Sequence, residues 1–437
     1  MLAFERYLKN ELCCAYYTLG CKVNQYETEV MQERLAEAGI AKCAEAEPDI
    51  IIINSCTVTG ESDNKTRKLL RRLRREHQNA IIVLTGCYAQ VCARKELPAE
   101  ADIIVGTKNR HQMVSVLEEY FKNGKRIVLA DDFEKGEGFD SRVINHFDEH
   151  TRAFVKIEDG CTNYCAYCII PRARGPVRSK PLDVLKEELC RLAENGYKEV
   201  VLVGINLTAY GRDTGDSFFD AVKTACETNG IERVRLGSLE PDTMDEQMIR
   251  GLSTLKKLCP QFHLSLQSGC DEILKKMNRH YDCGEYTRIV DCLRKYFDNP
   301  AITTDIMVGF PGENDELFEQ TLRFVKKIGF ARVHAFSYSR RPETKADLMP
   351  DQVDRATKNR RNHELQQAAS DSAEQYMKGF VGTIKSVLFE ENRNGFARGY
   401  TPEYVEVFVK TDEQLSDEIR DVIITAAEKE RCIGELA

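Results

Sequence analysis

The run Ala153-Phe-Val-Lys-Ile-Glu-Asp-Gly-Cys161-Thr-Asn-Tyr-Cys165-Ala-Tyr-Cys168-Ile-Ile-Pro171 joins a short apolar strand to a loop carrying three cysteines. Its C-x3-C-x2-C spacing supplies three thiolates and no fourth. A [4Fe–4S] cluster has four irons, and a ferredoxin-type set gives each one a Cys. Three clustered thiolates therefore leave one iron open to a small molecule. Structural zinc takes four closed protein ligands, and no His or further Cys follows at knuckle spacing, so a cluster is a better reading than a zinc knuckle or three chance cysteines. The loop also follows its strand directly. Ligand sites in parallel β/α sheets and barrels lie in the loops at the carboxyl ends of strands.

Downstream, the β/α alternation continues. Glu199-Val-Val-Leu-Val-Gly, Arg233-Val-Arg-Leu-Gly, Phe262-His-Leu-Ser-Leu, Ile302-Thr-Thr-Asp-Ile-Met-Val-Gly and Arg332-Val-His-Ala-Phe read as strands separated by helical stretches. With the first strand they make about six, short of the eight of a full barrel, which predicts a partial, open (β/α)6 barrel. Upstream, Cys14-Ala-Tyr-Tyr-Thr-Leu reads as a strand and Glu27 to Ala38 as a helix. Ile50-Ile-Ile-Ile-Asn, Ala80-Ile-Ile-Val-Leu-Thr and Asp102-Ile-Ile-Val-Gly read as further strands. Strands alternating with helices predict an α/β domain with a parallel sheet. Between the two lies a polar stretch with Asp131, Asp132, Glu134, Lys135, Gly136, Glu137 and Gly138, which reads as a linker. After a helical Asp351 to Lys378, apolar and polar residues alternate between turn signals, the pattern of a small antiparallel β-barrel. The expected fold class is α/β, divided into an N-terminal domain over residues 14–125, a linker over 126–146, a barrel domain over 147–378 and a β-barrel over 379–437.

The chain has 437 residues, 42% hydrophobic and 30% charged, which fits a globular protein of two or three domains. No apolar run approaches the ~20 residues that span a bilayer, and the mixed-charge start lacks the apolar core of a signal peptide. A cytoplasmic protein with no membrane partner is expected. Seventeen cysteines, an odd count, argue in that setting against a disulfide framework. Cys43, Cys190, Cys226, Cys259, Cys283 and Cys292 are expected as small buried hydrophobes. The net charge of −8 excludes a polycation that seeks nucleic acid as a whole. One segment is nonetheless strongly basic: Lys65, Arg67, Lys68, Arg71, Arg72, Arg74 and Arg75, with Leu69, Leu70 and Leu73 at helical spacing. Charge alone leaves it open between a solvated helix face and a phosphate contact for RNA.

Three more cysteines each follow an apolar strand of the N-terminal domain: Cys21 after Leu19-Gly20, Cys56 after Asn54-Ser55 and Cys87 after Thr85-Gly86. Successive strand ends of a parallel sheet lie along one edge, so the three thiolates could converge. Small neighbours (Gly20, Ser55, Gly86) would let a bulky inorganic group approach the backbone. Spacing alone leaves convergence and coincidence both open.

At these residues the chain resembles a known family. Cys161-x3-Cys165-x2-Cys168, with Tyr167 before the last Cys, resembles the radical S-adenosylmethionine signature. The contexts Gly-Cys-x-x-Asn, Asn-Ser-Cys-Thr-Val and Thr-Gly-Cys around Cys21, Cys56 and Cys87 resemble the methylthiotransferase family, and the last part is similar to that family's TRAM domain. Thr18-Leu-Gly-Cys-Lys-Val-Asn-Gln-Tyr-Glu-Thr-Glu resembles the branch that modifies N6-threonylcarbamoyladenosine (t6A) at position 37 of tRNA. The resemblance implies two [4Fe–4S] clusters and S-adenosylmethionine as cofactors. It implies that the Cys161/Cys165/Cys168 cluster cleaves S-adenosylmethionine to a 5′-deoxyadenosyl radical. The Cys21/Cys56/Cys87 cluster would carry the sulfur that is methylated and transferred to C2 of the adenine. It further implies a tRNA anticodon stem-loop and a low-potential electron donor as partners. Strand-end motifs suggest cofactor contacts at Gly204, Asn206, Ser238, Glu240, Gln267 and Asp305, beside Tyr167.

Two departures stand out. Ser337-Tyr-Ser-Arg340-Arg341-Pro342-Glu343-Thr344 has Arg340 where the family usually has Pro and Glu343 where it has Gly. The TRAM-like tail is rich in acids, among them Glu390, Glu391, Glu403 and Glu406, and lacks the basic surface of a strong RNA binder. Rival readings are methylthiolation of isopentenyladenosine or of a ribosomal protein, and a non-catalytic iron–sulfur RNA-binding or redox protein. Lys22-Val23 after Cys21 argues against the ribosomal-protein branch, and two three-Cys sites argue against a redox carrier.

Overall fold

The structure is a computed structural model that describes residues 2–437 except Asn10, Glu45, Lys95, Glu96, Lys135, Asp148, Glu149, His150 and Lys429. Its first sheet is wholly parallel. The strands are β1 (Cys13–Thr18), β2 (Ala41–Lys42), β3 (Ile50–Ser55), β4 (Ile81–Gly86), β5 (Ile103–Val105) and β6 (Ile127–Leu129), in the order β2-β1-β3-β4-β5-β6. All of β3 is buried, as its unbroken apolar run requires of a strand covered on both faces. The order reverses between β1 and β3, the switch point at which open α/β sheets bind ligands. Cys21 and Cys56 follow the two strands that flank it.

The helix Lys22–Glu37 starts at Cys21, earlier than the sequence pattern suggests, because it serves two cores. Met31 and Leu35 pack on the first sheet, whereas Val23, Tyr26 and Val30 pack with Phe154 of the second domain. Two apolar faces blur the periodicity of its first turns. The expected linker also differs. Ile127–Leu129 is a sheet strand, and Ile144 and Phe147 are buried in the second core; Lys135 of this stretch lies outside the described residues.

The second domain runs β7 (Arg152–Lys156), β8 (Glu158–Asp159), β9 (Arg178–Ser179), β10 (Glu199–Val203), β11 (Arg233–Leu236), β12 (Ser238–Leu239), β13 (Gln261–Leu264), β14 (Ala301–Val308) and β15 (Arg332–Ser337). Parallel sheets β11-β10-β7 and β12-β13-β14-β15 meet where Gly237 interrupts the strand, giving the six-stranded open barrel anticipated from sequence. Short β8 and β9 pair antiparallel and pinch the base of the cysteine loop. The helix Arg355–Lys378 bridges to the tail, with Leu365 and Ala368 in the barrel core and Ala373 and Met377 in the next one.

The tail closes as a barrel of β16 (Ile384–Arg393), β17 (Phe396–Tyr400), β18 (Glu406–Lys410), β19 (Ile419–Glu428) and β20 (Arg431–Leu436). It is not purely antiparallel, since β18 and β20 run parallel. It docks on the larger barrel: Arg233 donates to the Ser386 carbonyl at 2.9 Å, Arg235 to that of Pro402 at 2.8 Å, and Arg152 pairs with Glu390 at 2.7 Å. Of the cysteines expected as buried, Cys226 and Cys259 are, Cys283 and Cys292 are only partly so, and Cys43 and Cys190 depart from the expectation. Cys13 and Cys43 form a disulfide across β1 and the end of β2, where adjacent parallel strands place their thiols together, and Cys190 is exposed. No helix among the described residues is long and apolar enough to cross a membrane.

Candidate functional site

Cys21, Cys56 and Cys87 do converge. All three line one cavity of about 550 Å³, whose other wall is the interior of the open barrel, with Gly204, Ser238, Gln261, His263, Thr303, Asp305, Arg332 and His334. Sheet register brings them together: Thr18 pairs with Asn54, and Ser55 with Gly86, so the three strand ends stand side by side. Asn24 fastens the first two, donating to the carbonyls of Leu19 (2.8 Å) and Ser55 (3.1 Å), and Asn54 donates back to the Asn24 carbonyl at 2.8 Å. Cys21 sits at the start of a long helix, whose dipole favours a thiolate.

Glycine is required beside two of these cysteines. Gly86 has φ +92°, and a Cβ there would stand 2.4 Å from the Ser55 carbonyl oxygen; one at Gly20 (φ +112°) would stand 2.7 Å from the Cys56 Cβ. Buried Asn54 Oδ1 and Thr85 Oγ1 have no hydrogen-bond partner. A bulky group with acceptor capacity beside the trio would have thiols and a guanidinium around it, because Arg174 Nε donates to Cys87 Sγ at 3.1 Å. Burial pushes the Cys87 thiol up to about 12 against the pull of Arg174. Such thiols ionise only with a cation to receive them, as an iron centre would.

Arg174 is fully buried and holds the two domains together. It donates to Asn24 Oδ1 at 2.7 Å, to Glu27 at 2.8 and 3.0 Å and to Asp159 at 2.9 Å. Arg110 and Lys156 also pair with Glu27. Burial opposes ionisation of Glu27, but these cations outweigh it and hold its carboxyl well below the usual range.

The loop trio is built differently. Gly160, at φ +88°, turns the chain, and the Cys161 N–H bonds the Gly175 carbonyl at 3.0 Å. All three thiols are half-buried; burial raises Cys161 to about 11 and Cys168 to about 12. Arg279 Nη1 donates to Cys165 Sγ at 3.1 Å, and its other nitrogen pairs with Glu240. Asn206 Nδ2 lies 3.9 Å from Cys161 Sγ, and Tyr167 packs edge-on against Phe310. Among the described residues no three Cys, His, Asp or Glu side chains close on a single-ion site.

Of the other anticipated contacts, Asn206, Glu240 and Tyr167 gather at the loop trio, while Gly204, Ser238 and Asp305 line the cavity. Asp305 lies 3.5 Å from His263 and 3.3 Å from His334. Gln267 joins neither group: at φ +69° its backbone N–H bonds the Asp305 carbonyl and it continues the sheet as a bridge. The structure also brings in Lys22, Arg174 and Arg279, which the sequence reading did not assign. Burial, with Arg152 and Arg235 adding to it, pulls the Lys22 ammonium down to about 8.

The basic segment is the helix Gly60–Glu76, with Leu70 and Leu73 buried. Arg74 is structural, bound to Asp102 and to the carbonyls of Glu100 and Ala80. Lys65, Arg67, Lys68, Arg71, Arg72 and Arg75 are exposed or nearly so. Arg67 and Arg71 border a groove of about 650 Å³ with Arg341, which pairs with Asp63 at 2.6 Å. Glu343, at the departure from the family pattern, adopts φ +72° and pairs with Arg172. The acidic tail is largely engaged: Glu390 with Arg152, Glu403 with Lys385 and Glu391 with Arg398.

Two family profiles match. Residues 155–325 match the radical SAM superfamily, and residues 14–106 match a family described as uncharacterized protein family UPF0004. A threonylcarbamoyladenosine tRNA methylthiotransferase MtaB of Thermotoga maritima is 39% identical, covering 89% of each chain. The enzyme of the same name from Bacillus subtilis is 36% identical over 94% of each. A tRNA-2-methylthio-N(6)-dimethylallyladenosine synthase of Pelotomaculum thermopropionicum is 34% identical over 96% of each. The solved radical S-adenosylmethionine methyltransferase TsrM of Kitasatospora setae shares the fold, with TM-score 0.58 at 15% identity over 77% of each chain. Full-length similarity at this level, carried by a chain that builds both thiol trios, places the protein in the radical S-adenosylmethionine tRNA methylthiotransferase family.

Proposed function

We propose that the protein methylthiolates C2 of N6-threonylcarbamoyladenosine at position 37 of tRNA, in the cytoplasm, with a [4Fe–4S] cluster at each thiol trio. The carrying observation is the convergence of Cys21, Cys56 and Cys87 on the cavity that the open barrel faces. When bound, the clusters and S-adenosylmethionine supply a 5′-deoxyadenosyl radical and a methylthio sulfur, chemistry that belongs to the cofactors. An aromatic C2–H has no easy polar route to substitution, so a radical is needed there.

The chain's own residues hold and position the cofactors. Cys161, Cys165 and Cys168 hold one cluster; Cys21, Cys56 and Cys87 hold the other. Asn206, Glu240 and Tyr167 stand beside the first trio, where a nucleoside cofactor would lie, and Gly204 lets its strand end pack on Glu158, because a Cβ there would meet Glu158 Oε2 at 2.7 Å. The helix Lys22–Glu37 packs on β7 through Val23, Tyr26 and Val30 and walls one side of the cavity with Lys22 and Val23. The exposed cations of Gly60–Glu76 offer contacts to the anticodon-stem phosphates, and a low-potential donor supplies electrons.

The test is anaerobic reconstitution with iron and sulfide, followed by incubation with S-adenosylmethionine, a strong reductant and anticodon stem-loops carrying t6A or isopentenyladenosine at position 37. Mass spectrometry of the nucleosides should show the 2-methylthio form of t6A. An unchanged t6A loop removes this reading, and conversion of the isopentenyl loop alone reassigns the branch.

A further inference from the structure

The cavity beside the sheet trio has an electrostatic imbalance. Lys22, next to Cys21, lines it, and its ammonium lies 5.6 Å from the centre of the Phe154 ring. No carboxylate pairs with Lys22 among the described residues. Its acidic neighbourhood is already committed: Glu199 pairs with Arg235 at 2.9 Å and Glu390 with Arg152 at 2.7 Å. Arg332 reaches the same cavity from β15 and likewise pairs with no carboxylate among the described residues. Asp305, the one acidic side chain of the lining, is held between His263 and His334. Lys22 is partly buried and Arg332 exposed, and the lining neutralises neither charge, so the cavity presents two free cations to an acidic group that enters it.

We infer that Lys22, with Arg332 across the cavity, receives the carboxylate of an acidic N6 substituent on the target adenine and sets preference for it over a hydrocarbon substituent. The inference rests on the function proposed above, in which the threonylcarbamoyl group ends in a carboxylate. Phe154 supplies the apolar floor on which the ammonium rests, so the charge is held in place before substrate arrives. A hydrocarbon substituent would gain nothing from these cations and would strip water from them, which discriminates by repulsion as well as by attraction.

The test uses the reconstituted full-length protein and three anticodon stem-loops that differ only at N6 of position 37. They carry the threonylcarbamoyl group, its neutral methyl ester, or isopentenyl. Equilibrium binding by fluorescence anisotropy is the readout, with iron content as the folding control. Lys22→Met should weaken the threonylcarbamoyl loop by about 10- to 100-fold, the worth of one hydrogen bond to a charged group. The ester and isopentenyl loops should be unchanged, and Lys22→Arg should restore most of the loss. Equal weakening of all three loops, or of none, overturns the inference. A wild-type protein that fails to methylthiolate the threonylcarbamoyl loop overturns the parent reading instead, so the two failures are told apart.

Discussion

The two thiol trios are built by opposite means. Cys161, Cys165 and Cys168 share one loop, pinched by β8 and β9 and turned at Gly160, so their grouping is a property of a short segment. Cys21, Cys56 and Cys87 come from three strand ends and meet only when β1, β3 and β4 are in register. Each trio nevertheless receives one guanidinium N–H at 3.1 Å, from Arg279 to Cys165 and from Arg174 to Cys87. Arg174 lies in the helix Ile170–Arg174 that leaves the loop trio. The segment that carries the first trio therefore braces the second, and local and long-range sites are tied by a single side chain.

The largest effect should come from removing either trio. Replacing Cys161, Cys165 and Cys168 with Ala should lower iron from about eight to about four per reconstituted chain and abolish S-adenosylmethionine cleavage to 5′-deoxyadenosine. The Cys21, Cys56 and Cys87 triple replacement should lose a similar share of iron while that cleavage persists and methylthiolation stops. Full iron retention by the second variant would leave the sheet trio without a cluster.

A gentler test adds one methyl group beside each trio. At Gly86 it would meet the Ser55 carbonyl oxygen at 2.4 Å, and at Gly160 (φ +88°) the Pro176 carbonyl oxygen at 2.0 Å. Strained backbone of this kind costs of order 1–3 kcal/mol. Gly86→Ala should lose iron from the sheet trio and lower the thermal midpoint, because β4 is core. Gly160→Ala should impair the loop trio and S-adenosylmethionine cleavage with a smaller change in midpoint. Similar thermal losses in both would mean that the loop is as integral to the fold as the sheet.

The same contrast explains what could be read from sequence. The loop trio was legible because its spacing is contiguous. The sheet trio was visible only as three similar contexts, since register is a three-dimensional quantity. The six barrel strands and the closed tail followed from alternation and turn residues. The start of the helix Lys22–Glu37 did not, because Val23 and Tyr26 answer to a neighbouring domain's core. Ile127–Leu129 looked like linker because its flanks are polar and charged and its three residues are an edge strand. Arg174 and Arg279 carried no signal beyond an Arg near a cysteine motif. Their roles depend on which thiols the fold brings within reach.

The finest test exchanges those two arginines one at a time. A guanidinium that donates to a thiolate stabilises the more negative, reduced cluster, so its loss lowers the reduction potential. Lysine keeps the charge but lacks the planar fork, and it cannot serve Cys87, Asn24, Glu27 and Asp159 together as Arg174 does. Arg174→Lys should keep most of the iron, because Glu27 retains Arg110 and Lys156 and Asp159 retains Lys156 and Arg178. Its potentiometric titration, followed by electron paramagnetic resonance, should show the sheet cluster shifted downward and the loop cluster unmoved. Arg279→Lys should give the reverse. Movement of both potentials in either variant would show that the arginines act on the shared fold rather than each on its own thiolate.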